Sequence, residues 1–224
     1  MKKIIFTSLF VLGYALLPAQ DYSLLYKKNI PVPPPPPNQQ HTKAISYNSS
    51  GIYFRLLIKE GKSIYYSTTF DTLFHNDYNA HLKSIVYYGD IEKKEFYKVD
   101  NTFLTDYYTT YSFSNDADWK IHKKAIPFKS YHAYLATKQL PDGAKISVYF
   151  VPDIPIYFGP EKYAGLPGLI VRVQEKGIVT ELVKIENVQL EPIEQIDRNT
   201  LQAISNVEFQ KKRKSAIIEH TMNN

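Results

Sequence analysis

Between Ile52 and Lys59 the chain alternates strictly, with Ile52, Phe54, Leu56 and Ile58 on one parity and Tyr53, Arg55, Leu57 and Lys59 on the other. A period of two sends successive side chains to opposite faces of a pleated strand, and no helix fits it. After Glu60-Gly61 the pattern resumes from Ser63 to Ser67, which predicts a hairpin by period and by turn chemistry. The same signature recurs at Ser84 to Tyr88, Glu95 to Val99 and Phe103 to Phe113, divided by turns at Gly89-Asp90 and Asp100-Asn101. Trp119 and Ile121 alternate with Lys120 and His122, and a partner strand from Ser130 to Thr137 follows a bend placed at Pro127. Beyond Pro141-Asp142-Gly143 come Lys145 to Val151, Leu169 to Gln174 and Ile178 to Val188, the last two joined at Lys176-Gly177.

Eight to ten short strands at this spacing predict a mainly β domain, one antiparallel sheet curling into a half-barrel, barrel or sandwich. A LolA-like half-barrel is the fold-level analogy. Helices do not alternate with the strands, so a doubly wound α/β fold is not expected. Composition agrees: 19 Tyr and 12 Phe in 224 residues include the pairs Tyr65-Tyr66, Tyr87-Tyr88 and Tyr107-Tyr108, each of which sets one ring on either face of a strand. Asp71, Asn76, Asp77 and Asn79 make Thr69 to Leu82 a loop or short helix.

The ends read differently. Met1-Lys2-Lys3, an apolar run from Ile4 to Leu17 and then Pro18-Ala19-Gln20 have the order of a secretory signal peptide, with cleavage expected after Ala19 or, alternatively, Gln20. The run is shorter than the about 20 apolar residues of a spanning helix. The expected organisation is therefore a signal peptide at 1–19, an N-terminal segment with a proline spacer at 20–49, the β domain at 50–204 and a helix or tail at 205–224. Pro33 to Pro37 follow Ile30-Pro31-Val32, a stiff polyproline II run of roughly 20 Å that reads as a spacer behind Asp21 to Lys28, or as a docking ligand for a proline-binding partner. Ser205-Asn206-Val207-Glu208 is a capping box that predicts a helix start, with Phe209, Arg213, Ala216 and Ile217 forming a thin apolar stripe.

The sequence has no cysteine, which removes disulfides, thiolate zinc sites, a thiol nucleophile and lipid attachment at an N-terminal cysteine. Stability must come from a core. The formal charge of +5 falls to +3 without Lys2 and Lys3, and the run Lys211-Lys212-Arg213-Lys214 reads as a solvated helix face, so no nucleic-acid partner is expected. No transmembrane anchor is expected in the mature chain.

Asp153-Ile154-Pro155-Ile156-Tyr157-Phe158-Gly159-Pro160, leading to Gly165-Leu166-Pro167-Gly168-Leu169-Ile170, is the most distinctive stretch. Leu166 precedes proline and should be extended. Pro167 and Gly168 suit the centre of a type II turn, and Leu169 should launch a strand. At these residues the chain resembles the GLPGLI family, exported proteins of Bacteroidota without an established function. Gly61-Lys62-Ser63, Tyr65-Tyr66-Ser67, Trp119, Lys124 and Ile126 carry the resemblance further, over roughly Ser50 to Phe209. Relatives carry cysteines where this chain has Ala133 and Ala164. The resemblance therefore implies that these two alanines are neighbours, since a bridge needs α-carbons within about 7 Å.

No catalytic signature appears: nucleophile elbow, HExxH, Walker loop and dinucleotide fingerprint are all missing. A bend at Pro127 would set His122 opposite His132 as half of a metal site, short of the ligands that a site needs; His41, His75, His81 and His220 suggest no set. Glu92, Glu95, Asp116 and Asp118 are carboxylates that could pair as acid and base, or serve as turn residues. No catalytic, metal or cofactor residue is therefore assigned. The expectation is an exported, non-catalytic binding or accessory protein of the cell envelope, periplasmic or secreted, holding an apolar ligand or a lipidated or outer-membrane partner. The alternative is a hydrolase or carbohydrate-processing enzyme, whose sign would be a cleft with two strongly perturbed titratable groups.

Overall fold

A computed structural model describes residues 20–30, 52–68, 85–100, 106–112, 119–140, 142–212 and 215. The expected signal peptide at 1–19, the proline run, the segment from Thr69 to Leu82 and the four histidines His41, His75, His81 and His220 lie outside these residues.

Among the described residues twelve strands form one open sheet, antiparallel except at one edge: β1 Tyr22–Asn29, β2 Ile52–Lys59, β3 Lys62–Ser67, β4 Ile85–Asp90, β5 Glu95–Asp100, β6 Tyr107–Ser112, β7 Lys120–Phe128, β8 Tyr131–Gln139, β9 Lys145–Val151, β10 Leu169–Glu175, β11 Ile178–Asn187 and β12 Gln202–Ala203. Their order is β12-β6-β5-β4-β3-β2-β1-β11-β10-β9-β8-β7. Strands from β2 to β6 are a meander, and β7 to β11 a second one. The expected mainly β architecture is present, as an open sheet and not a closed barrel.

What joins the two meanders differs from the sequence reading. Asp21 to Lys28 was expected to stand apart behind a spacer; it lies in the middle of the sheet. β1 pairs with β2 on one side and β11 on the other, and Leu24 and Tyr26 on it are fully buried. The physical reason is that its two partners are remote in sequence from one another, so no local pattern announces them, while its own alternation of Leu24 and Tyr26 with Leu25 and Lys27 fits a half-buried strand.

Following the register outward from β1 defines an inner face. Leu24 stands opposite Leu56, Leu56 opposite Tyr65, Tyr65 opposite Tyr87, Tyr87 opposite Lys98 and Lys98 opposite Thr109. On this face Phe54 stacks on Tyr65 with centroids 5.0 Å apart, and Tyr26 and Tyr87 meet Tyr65 edge-on. Aromatic contacts of these geometries stabilise by about 0.5–1.5 kcal/mol each beyond their burial.

The other face of β5 is covered by the chain that leaves β11. Leu190 N–H donates to Asp21, whose carboxylate also takes the Lys59 ammonium at 3.1 Å. Further on, Gln195 donates to the Gly89 carbonyl, and Arg198 pairs with Glu95 at 2.7 Å while lying over the Tyr97 and Tyr108 rings. β12 then adds to the edge of β6. The capping box closes as expected: Glu208 N–H donates to Ser205 Oγ and Ser205 N–H to the Glu208 carboxylate, each at 3.2 Å. The helix α1 occupies residues 206–212 and buries Phe209 against Tyr107 and Lys98. Arg213, Ala216 and Ile217 lie outside the described residues.

Candidate functional site

The connection from β9 to β10, residues 152–168, is the longest excursion among the described residues, and it contains the hexapeptide. Two hydrogen-bond sets close it on itself: Phe158 bridges Ala164 in antiparallel fashion, and Gly165 N–H donates to the Tyr157 carbonyl at 2.9 Å. The short ladder holds a tip from Gly159 to Tyr163, where Tyr163 N–H donates to the Pro160 carbonyl. Burial alternates along the approach, with Ile156 and Phe158 turned inward and Pro155 and Tyr157 outward.

The hexapeptide Gly165, Leu166, Pro167, Gly168, Leu169, Ile170 is a turn, but of a different type from the one its sequence suggests. Gly168 N–H donates to the Leu166 carbonyl at 2.8 Å, so the turn spans three residues with Pro167 at its centre. That is the pattern of an inverse γ-turn, which the fixed φ of proline suits. A type II turn would need Leu169 N–H for the Leu166 carbonyl, and that donor is spent on Ile154 at 3.0 Å. The tertiary bond wins because it anchors both ends of the excursion to each other. Gly168 has φ +143°, and a Cβ there would collide with the Val151 carbonyl oxygen and lie 2.7 Å from Pro152 Cα. Leu169 opens β10, as expected.

The excursion covers the inner face. Phe158 meets Phe96 edge-on at 5.9 Å and sits so close to Gly89 that a Cβ there would come within 2.9 Å of its ring. Ile156, Phe158 and Ala164 join Leu24, Tyr26, Leu56 and Tyr65 in one cluster, which also contains Ala133. Ala133 and Ala164, which the resemblance implies to be neighbours, are thus fully buried members of the same cluster. Leu166 and Tyr163 belong to a second cluster with Phe150, Ile170 and Trp119. Beneath both, the Tyr26 hydroxyl donates to the Ile170 carbonyl at 2.6 Å.

At the tip, Glu161 turns its carboxylate inward onto the Lys28 ammonium, with the two side chains 18% and 12% exposed. Burial opposes the charged form of Glu161, but Lys28, followed by Lys162 and Lys98, outweighs it and holds the carboxyl below its usual range. The tyrosines around it move the other way. Burial raises Tyr65, Tyr87, Tyr163 and, to about 12, Tyr111, and the Glu161 charge adds to each. The buried Tyr65 hydroxyl finds no hydrogen-bond partner among the described residues, whereas Tyr163 donates to Glu175. The face therefore carries the Glu161–Lys28 pair, a second buried pair of Lys98 and Asp100 at 3.4 Å, and neutral phenols on an aromatic floor.

The residues singled out from sequence lie elsewhere. The β7 to β8 turn is Lys129-Ser130, with Phe128 paired to Tyr131, so the bend expected at Pro127 is displaced and Pro127 lies within β7. An edge strand tolerates proline because its missing N–H would have faced away from the sheet. His132 consequently opposes Pro127, while His122 sits in an irregular stretch at 3.1 Å from Thr137 Oγ1, so the two histidines do not face one another. Among the described residues no group of three metal-ligating side chains occurs. Glu95 is the ion-pair partner of Arg198, Glu92 is exposed in the β4 to β5 turn, and Asp116 and Asp118 lie outside the described residues. Glu161 and Lys28 were not singled out; the signal available was a charged pair, Glu161-Lys162, set between Pro160 and Tyr163 in an otherwise apolar stretch.

Residues 82–172 match the model of a family described as a protein of unknown function, Porph_ging. Curated proteins give no match. Among solved structures, the fold is similar to two crystal forms of a protein named PNGF-II: 12% identity and a TM-score of 0.55 over 86% of this chain in space group C2, and 13% and 0.55 over 87% in P21. The chain spans about a third of the length of those structures, 32% and 33%. No helix among the described residues is long and apolar enough to cross a membrane.

Proposed function

We propose that this chain is an exported, non-catalytic binding or accessory protein of the cell envelope, periplasmic or secreted, whose inner sheet face holds an apolar ligand or the lipid of a lipidated partner. One observation carries the reading: the aromatic floor of Tyr26, Phe54, Tyr65 and Tyr87 is covered by a self-closed excursion of the same chain. Because the excursion satisfies its own backbone at the Phe158 to Ala164 ladder, it can move as a unit without orphaning those donors and acceptors. Its apolar side chains Ile156 and Phe158 each stabilise the closed form by about 1.5–3 kcal/mol, and a ligand on the floor must replace those contacts.

Export rests on the leader pattern at 1–19 and on the resemblance of the hexapeptide to the GLPGLI family. The electrostatics favour binding over catalysis. A general acid or base works best near the operating pH, and at this face Glu161 is pushed down while the phenols are pushed up. The test is purification of the exported chain from the envelope under mild conditions, with mass spectrometry for lipid and protein, alongside titration with a neutral apolar fluorophore. Recovery of an acyl lipid or an acylated protein in stoichiometric amount supports the reading. A chain that carries neither and leaves the fluorophore unbound sinks it.

A further inference from the structure

We infer that the inner face is built for an amphiphile with a free carboxylate head, a long-chain fatty acid in chemical class, and that Glu161 occupies the head position as a stand-in supplied by the chain itself. The inference rests on the apolar-ligand reading above and narrows it. The excursion has the profile of such a molecule: an apolar body of Ile154, Ile156 and Phe158, followed by a single carboxylate. The body lies on Phe96 and over Gly89, where the lack of a side chain makes the room. The head meets Lys28, an ammonium on the central strand that itself lies 5.7 Å from the Phe54 ring centroid. On the same face the Tyr65 hydroxyl, 1% exposed and without a partner among the described residues, is a neutral donor that Glu161 leaves unused.

Exchange of one carboxylate for another makes the replacement physically reasonable. Removing Glu161 alone would leave the buried Lys28 charge without its partner, which is unfavourable. A ligand that brings its own carboxylate restores the pair, while Glu161 returns to water, where its ionised form is fully solvated. A neutral lipid, or an acyl chain already in amide or ester linkage to a protein, offers no such compensation. The site therefore favours the free acid.

The experiment is calorimetric titration of the mature full chain, wild type and variants, with palmitate and with hexadecanol, which differ only in the head. Palmitate should bind at least tenfold more tightly than the alcohol. Glu161→Gln, which vacates the charge, should bind palmitate at least tenfold more tightly than wild type does. Lys28→Met should abolish the preference for acid over alcohol, and Lys28→Arg should keep it. Equal affinity for acid and alcohol overturns the head-group inference and leaves the apolar-ligand reading standing, as does a preference that survives in Lys28→Met. Failure of both probes to bind any of the four proteins overturns the two together. Near-ultraviolet circular dichroism reports whether each variant folds, and should one not fold, the wild-type comparison of acid with alcohol decides.

Discussion

Substituting Gly168 by alanine tests whether the β9 to β10 excursion is held as described. The added methyl would strike backbone, the Val151 carbonyl and Pro152 Cα, and not the yielding end of a side chain. Two costs add. Holding a non-glycine residue at φ +143° stores about 1–3 kcal/mol, and forcing a methyl against fixed backbone about 1–3 more. The sum, about 2–6 kcal/mol, is a large share of the about 5–15 kcal/mol that a folded domain has. Gly143→Ala is the internal control, because Gly143 also has positive φ, +81°, yet its Cβ would meet nothing within 4 Å. There only the conformational cost of about 1–2 kcal/mol remains. Urea unfolding followed by tyrosine and tryptophan fluorescence reads the difference. With a slope of about 2.5 kcal/mol per molar, Gly168→Ala should lower the midpoint by about 0.8–2.4 M and Gly143→Ala by about half a molar. Midpoints that move equally would refute the claim that close backbone approach, and not turn conformation alone, demands glycine at 168.

Three further outcomes follow from particular contacts. Tyr26→Phe leaves the Ile170 carbonyl in the core without its 2.6 Å donor and should cost about 1–3 kcal/mol in urea unfolding; a change below a few tenths would show that the bond contributes nothing net. The Glu161 carboxyl has its folded pKa below the unfolded value, so its stabilisation is present at neutral pH and lost as pH falls below about 4.3. In Lys28→Met the burial that opposes charge is left unopposed by its main partner, so this acid-labile share should vanish; a wild-type-like acid limb in the variant's thermal midpoints from pH 3 to 7 would contradict the pairing. Ser205→Ala removes one of the two reciprocal capping bonds and should speed hydrogen exchange within 206–212 by roughly fivefold to thirtyfold, corresponding to about 1–2 kcal/mol of local stability. Unchanged exchange there would mean that Phe209 docking alone fixes the helix.

Local periodicity made most strands readable. β2, β3, β5 and β9 to β11 fall within a residue or two of their expected positions because each has one face against the interior, and alternation is the direct trace of that arrangement. The capping box was legible for the same reason: both of its partners lie within four residues. Features decided by remote partners were not legible. β1 is an eight-residue segment whose neighbours begin some 30 and 150 residues later, so its role as the strand joining two meanders has no local signature. The position of the β7 to β8 turn was misread because proline marks turns in general, whereas on an edge strand it is tolerated.

The hexapeptide shows how far such a reading reaches and where competition overrides it. Proline followed by glycine does specify a turn, and a strand does follow at Leu169. Which turn forms depends on where one N–H goes, and the Ile154 carbonyl that takes it lies fifteen residues earlier. That bond ties the start of the excursion to its end, and the ladder at Phe158 and Ala164 then aims the tip across the sheet, so that Glu161 reaches Lys28 on a strand 133 residues away. The motif thus has no chemistry of its own to reveal. Its glycine and proline fix the base of an excursion whose buried charge, Glu161 at φ +57°, sits at the far end, where the sequence shows only one more charged residue beside a proline. Any change that loosens the base should therefore be felt first at Glu161.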